Sequence, residues 1–99
     1  MAEWWQEKGR KIYEELGNCV EMALEEENSE VAILCATPLA VLADLEGANY
    51  FGNEGYYNFN TAMDISKEAV KLAEEKGVPN WLKDGVETIK KILKDTGNE

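Results

Sequence analysis

The chain has 99 residues, of which 44% are hydrophobic and 30% are charged, and its formal net charge is −10. This length fits a single domain that can bury a core of its own. The acidity argues against binding to nucleic acid and to anionic membrane surfaces, and it favours a basic or neutral partner.

The N-terminal sequence MAEWWQEKGRK lacks the order of charged and apolar residues that is typical of a signal peptide. No apolar stretch reaches the ~18 residues of a transmembrane helix. Cys19 and Cys35 lie among apolar neighbours and do not form a C-x-x-C pair. We therefore expect a cytoplasmic protein with buried free thiols, ahead of a disulfide or a reactive cysteine.

Helical periodicity dominates the chain and predicts an all-α fold of about five antiparallel helices in one domain, residues 1–99. The predicted helices are residues 3–16, 19–36, 38–51, 57–76 and 80–95. Residues 31–43 are almost all apolar. A helix that is apolar on every side is predicted to be buried on every side, so this segment should form the middle of the molecule.

Two dipeptides mark the predicted breaks in the first half of the chain. Gly17 and Asn18 should end the first helix. Thr37 and Pro38 should start a new one, because threonine is a good N-cap and proline suits the first helical position, whereas a proline inside a helix costs about 3 kcal/mol. Ser29 either lies within a longer helix or starts a new one as its N-cap, and the sequence leaves both open.

Glycines mark the predicted breaks in the second half. Residues 52–55 should form a turn, in which Asn53 suits left-handed backbone. Gly77 is a natural C-cap for the fourth helix, and Pro79 prevents that helix from continuing.

A spaced repeat of glycines relates three parts of the chain. Gly9, Gly47 and Gly85 are equally spaced, and the segments WQEKGRKIYEELG and ADLEGANYFGNEG share one frame of bulky residues and glycines. The segment LEGANYF resembles the first helix of a tetratricopeptide-type repeat. On this resemblance, residues 3–36 and 38–76 are two degenerate units and residues 80–95 are a capping helix. An unrelated closed helical bundle is the alternative.

The resemblance implies a protein- or peptide-binding module that uses the concave face of its first helices. Tyr13 and Phe51 would be apolar anchors there, and Arg10 and Asp44 would orient a polar partner group. The full implied binding surface comprises Gln6, Arg10, Tyr13, Asp44, Ala48, Phe51 and Leu82.

A small-molecule or catalytic pocket around residues 44–60 is the alternative function. Aromatic rings with a few amides are typical of ligand pockets, and an acid inside an apolar helix can act as a base. The candidate residues of this pocket are Asp44, Tyr50, Tyr57, Asn58 and Asn60.

The chain has no histidine, which excludes His-dependent triads and haem or zinc sites that need an imidazole. No catalytic motif is recognisable, so we expect neither an enzyme nor a cofactor or metal. The regular C-terminal third also fits an engineered or computed sequence that has no function beyond folding. A monomer is expected, or a weak homodimer through the face of Trp4 and Trp5.

Overall fold

Five helices make up the described part of the chain, residues 3–52 and 55–99, in the computed structural model. They are α1 (Trp4–Glu25), α2 (Ser29–Asp44), α3 (Gly47–Tyr50), α4 (Phe59–Lys76) and α5 (Lys83–Asp95), with a 3-10 turn at Asn80–Leu82 before α5. The described residues contain no strand. The predicted all-α fold is confirmed, and the predicted fourth and fifth helices are close to their observed positions.

Helix α2 is the centre of the bundle. It packs against α1, α4 and α5, whereas α1 and α5 share no extensive contact within the described residues. Its buried face includes the fully enclosed side chains of Ile33 and Leu39. The prediction that this segment forms the middle of the molecule is confirmed, but burial on every side is wrong, because the sector between α1 and α5 has no covering helix.

A disulfide joins Cys19 of α1 to Cys35 of α2, with their Cα atoms 6.1 Å apart. The prediction of free thiols is therefore wrong. It rested on the apolar neighbours and spacing of the two cysteines, which do not reveal that an antiparallel α1–α2 hairpin places the two side chains side by side. The disulfide also removes the free-thiol argument for a cytoplasmic protein.

Helix α4 runs antiparallel to α2, and α5 returns parallel to α2. At one end of α4, the Ser29 hydroxyl donates a hydrogen bond of 2.8 Å to the carbonyl oxygen of Gly77. Gly85 of α5 lies against Thr37 of α2. At the opposite end, the Thr96 hydroxyl reaches the Met63 sulfur of α4. These contacts bring the C-terminal ends of α2 and α5 together.

The predicted break at Gly17 and Asn18 is wrong, since α1 continues to Glu25. The two glycines of α1 serve close packing: a Cβ atom on Gly9 would overlap the ring of Phe51, and one on Gly17 would overlap the ring of Tyr57. The aromatic residues that follow α3 therefore lie across α1.

The turn between α1 and α2 settles the alternatives at Ser29. A new helix does begin there, but its cap is Asn28, whose side-chain oxygen accepts a 3.1 Å hydrogen bond from the backbone N–H of Val31. The Ser29 hydroxyl instead donates to the carbonyl of Gly77 at the end of α4. The predicted helix over 19–36 is thus two helices.

The predicted break at Thr37 and Pro38 is also wrong, because α2 continues through both residues. The Thr37 hydroxyl donates to the Ile33 carbonyl at 2.7 Å and so does not cap a new helix. Pro38 deprives the Leu34 carbonyl of its helical donor. Both Leu34 and Pro38 are exposed, so water can solvate that carbonyl.

The predicted helix over 38–51 is divided at Glu46, whose φ of 61° lies in the left-handed region. This conformation ends α2 and starts the short α3. The beginning of α4 is set by Asn58, whose side-chain oxygen accepts a 3.0 Å bond from Thr61 N–H. The predicted C-cap at Gly77, with φ of 82°, is confirmed. The predicted left-handed backbone at Asn53 lies outside the described residues.

Candidate functional site

Three residues of the predicted peptide groove are buried and present no surface to a peptide. Tyr13 is fully enclosed, and Ala48 and Leu82 are nearly so. Burial raises the pKa of Tyr13 to about 12, and its hydroxyl has no hydrogen-bond partner within the described part of the chain. The predicted anchoring role of Tyr13 is wrong because this side of α1 faces the core.

Three other predicted groove residues have structural roles in α1. One caps the start of the helix, and two join α1 to the segment after α3. The backbone N–H of Glu3 donates to the Gln6 side-chain oxygen at 3.0 Å, which completes a capping box. Arg10 Nε donates to the Phe51 carbonyl at 2.9 Å. The Phe51 ring lies over Gly9 and is half-buried. Gln6, Arg10 and Phe51 thus make contacts within the protein, and they do not line the predicted peptide groove.

The aromatic residues of the alternative pocket lie along α1 and not around Asp44. Tyr50 stacks on Trp5, with ring centroids 5.0 Å apart, and Trp5 is therefore half-covered while its neighbour Trp4 is exposed. The Tyr57 hydroxyl donates to the Asn18 side-chain oxygen at 2.7 Å. Burial, together with the nearby Glu21 carboxylate, raises the pKa of Tyr57 to about 12.

The two asparagines of the alternative pocket do not line it either. Asn58 caps α4, and its amide nitrogen donates to the Gly55 carbonyl at 3.1 Å. Asn60 is exposed on the first turn of α4. Asp44, the fifth predicted pocket residue, does line a cavity.

That cavity is a cleft of about 450 Å³ at the end of the bundle where α2 and α5 terminate. It is lined by Ala43, Asp44, Glu46, Ala48, Asn49, Phe59 and Thr96. The C-terminal ends of α2 and α5 carry partial negative charge, and the carboxylates of Asp44 and Glu46 add to it. The cleft is therefore electronegative, with one aromatic wall from Phe59.

A second candidate surface is the uncovered side of α2, which we call the open face and define by Leu34, Pro38, Val41 and Leu45. These residues recur every three or four positions and so share one side of the helix. Leu34 is 45% exposed and Leu45 is 71% exposed, while Val41 is half-buried. Exposed apolar residues that form a continuous patch are typical of interaction sites.

Helix α1, which lies beside α2, carries exposed apolar side chains of its own. Ile12 is 57% exposed, and with Leu16 it lines a shallow groove of about 430 Å³ whose other walls are Lys8, Lys11 and Glu15. The disulfide between Cys19 and Cys35 holds this part of α1 beside α2. The predicted breaks at residues 17 and 37 would have divided this surface among separate helices, so the sequence did not reveal it.

Two classes of site have no support within the described residues. No group of three or more histidine, cysteine, aspartate or glutamate side chains is placed to hold a metal ion. No helix there has both the length and the apolar character needed to cross a membrane.

Comparison of the chain with protein-family models, with curated proteins and with solved structures found no match. The resemblance to tetratricopeptide repeats, like an engineered origin, therefore stays a prediction.

Proposed function

We propose that the protein is a binding module that takes up an amphipathic helix of a partner protein along the open face of α2. One observation carries this proposal: the central helix of the bundle leaves Leu34 and Leu45 exposed, although its other sides are covered by α1, α4 and α5. The binding function expected from the sequence is retained, but the surface is a different one.

The shape of the surface favours a helix as the occupant. The Cys19–Cys35 disulfide places α1 on one flank of the open face, and the contact of Gly85 with Thr37 places α5 on the other. The described residues of these two helices do not pack extensively on each other, so α2 stays exposed between them. Amphipathic helices bind in such grooves through apolar residues at helical spacing. Helix α2 has 16 residues, which corresponds to about 24 Å at 1.5 Å per residue, so the partner needs a helix of similar length.

A fluorescent peptide tests this proposal. The probe is an amphipathic helix of about four turns with leucines on one face and glutamines on the other, and its binding is followed by fluorescence anisotropy. We expect micromolar affinity. The double variant Leu34→Ser/Leu45→Ser should lose roughly 2 kcal/mol of binding free energy, or about thirtyfold in Kd, because it removes two apolar contacts.

Tyr56→Ser is the matched control, since Tyr56 is also a large exposed hydrophobic residue, 66% exposed, but contacts Glu21 and Tyr57 and is not part of the open face. Its affinity for the peptide should equal that of the wild type. Circular dichroism checks that each variant keeps its helices. If the wild type does not bind the peptide, or if the folded double variant binds it equally well, the proposal is wrong.

The cleft beside Asp44 supports a second candidate function, the binding of a small organic cation. Its volume of about 450 Å³ lies within the range of ligand pockets, and Asp44 is the residue that the sequence placed in such a pocket. Amine-containing fragments should raise the melting temperature of the wild type and of Asp64→Asn, an exposed control on α4. If Asp44→Asn responds to the same fragments as strongly as the wild type, the cleft is not their site.

A further inference from the structure

We infer that the partner helix carries a cluster of basic residues at one end, and that this end lies over the turn between α1 and α2. The inference rests on the proposed docking of a helix along the open face of α2. It adds the charge pattern of the partner and the direction in which the partner lies.

The turn end of the open face is strongly acidic. Glu25, Glu26, Glu27 and Glu30 are all exposed there. Glu30 precedes Leu34 by one helical turn and therefore begins the open face itself. Glu27 has an ion-pair partner, with Lys76 Nζ 3.6 Å from its Oε1. Among the described residues, the other three carboxylates make no salt bridge.

The opposite end of the open face has a mixed charge. Asp44 and Glu46 flank Leu45 in the chain. Helices α1 and α2 run antiparallel and are joined by the Cys19–Cys35 disulfide. The N-terminal half of α1 therefore lies at this end of the open face. Lys8 and Lys11 in that half are exposed beside Ile12. With Glu15, which lines the same groove, the formal charge at this end is −1. The four glutamates of the turn carry −4, or −3 together with Lys76, so the open face is electrically asymmetric along its length.

This asymmetry selects one kind of occupant. A second copy of the chain would bring its own net charge of −10, and its open face has no basic end to place on the acidic turn. A partner helix with lysines or arginines at one end places positive charge over Glu26 and Glu30 while its apolar face covers Leu34 and Leu45. Exposed ion pairs of this type contribute roughly two- to fivefold each in affinity.

Three labelled peptides test the inference in direct comparison. They share one apolar face and differ at one end, which carries a cluster of lysines, of glutamines or of glutamates. At low ionic strength we expect the lysine peptide to bind about tenfold more tightly than the glutamine peptide, and the glutamate peptide to bind most weakly. High salt should remove most of these differences, because it screens exposed charges.

Charge-neutral variants locate the effect on the surface. Glu26→Gln/Glu30→Gln should lose most of the preference for the lysine peptide and keep its affinity for the glutamine peptide. Glu14→Gln/Asp64→Asn is the matched control: it removes the same amount of charge from exposed positions on α1 and α4, away from the acidic turn. This control should keep a preference close to that of the wild type.

The outcomes separate this inference from the function on which it rests. If the lysine and glutamine peptides bind equally well, or if the control loses as much preference as Glu26→Gln/Glu30→Gln, the inference is overturned and the docking function stands. If no peptide binds, or if Leu34→Ser/Leu45→Ser binds all three unchanged, both are overturned. A self-association of the chain that excludes the peptides and depends on Leu34 would also overturn both.

Discussion

One chemical change, tyrosine to phenylalanine, is expected to have opposite effects at two buried positions. Tyr13 is fully buried, and its hydroxyl has no partner in the described part of the chain. Tyr57 is also buried, but its hydroxyl donates to the Asn18 side-chain oxygen at 2.7 Å. Tyr13→Phe should therefore stabilise the protein, and Tyr57→Phe should destabilise it.

The magnitudes follow from the asymmetry of hydrogen-bond energetics. A buried polar group without a partner costs about 1–3 kcal/mol, whereas a hydrogen bond that is made contributes about 0.5–1.5 kcal/mol. Since Tyr13→Phe removes such an unpaired group, we expect the free energy of unfolding to rise by about 1 kcal/mol, equivalent to a melting temperature ~4–8 °C higher for a domain of this size. Tyr57→Phe should lower it by a similar amount.

Urea titration followed by far-ultraviolet circular dichroism measures both changes under identical conditions. Tyr50→Phe is the control, because Tyr50 is exposed on α3, and its stability should stay within about 0.5 kcal/mol of the wild type. Ser66→Ala removes another buried hydroxyl that has no partner among the described residues and should also stabilise the protein. If Tyr13→Phe destabilises as much as Tyr57→Phe, the Tyr13 hydroxyl is satisfied in solution and the reasoning fails.

Three further predictions concern the disulfide, the helix interior and high pH. Reduction of the Cys19–Cys35 bond should lower the free energy of unfolding by about 3 kcal/mol, since the bond closes a loop of 16 residues. The stability of Cys19→Ser/Cys35→Ser should not change on addition of reductant. If reductant does not change the stability of the wild type either, the disulfide does not form in solution. Pro38→Ala should raise that free energy by about 1–3 kcal/mol, because proline is unfavourable within α2; a lower urea midpoint would contradict this. Burial raises the pKa of Tyr13 to about 12, above the value near 10 of an unfolded chain, so the contribution of Tyr13 to stability should be constant below pH 10 and should fall by up to ~3 kcal/mol as the pH rises to 12. Tyr57, whose pKa is raised to a similar value, should add a loss of its own. Tyr13→Phe should show a smaller loss over that interval, and an identical loss would assign the effect to other groups.

The helix ends that the sequence predicted correctly depend on local chemistry. Gly77 adopts positive φ and Pro79 follows it, so both the signal and the structure lie within a few residues. Gly17 and Pro38 also predict helix breaks, but both lie inside helices, because their tertiary surroundings tolerate a glycine or a proline there. Gly17 lies under the Tyr57 ring, and Pro38 faces solvent on the one side of α2 where a missing donor is tolerated.

The candidate sites were harder to predict than the helices. Asp44 was placed in a pocket because an acid interrupts an apolar segment, and it does line the cleft. Phe59 and Thr96 join that cleft only because the start of α4 and the end of α5 lie beside the end of α2, and no local sequence pattern indicates this. The open face of α2 was not predictable, since a segment that is apolar on all sides does not indicate which side stays uncovered.

The rings of Phe51 and Tyr57 over the two glycines of α1 have a consequence for the order of folding. Each interior glycine weakens an isolated helix by about 1 kcal/mol, so the part of α1 from Trp4 to Asn18 is a poor helix until those rings cover it. The hydrogen bonds that join the same regions, Arg10 to Phe51 and Tyr57 to Asn18, span 41 and 39 residues of chain.

Contacts between such distant residues form slowly, whereas the α4–α5 hairpin is local. We therefore expect the α4–α5 hairpin to form early and the part of α1 from Trp4 to Asn18 to order last. The final cooperative step of folding is then the docking of the aromatic segment onto that part of α1.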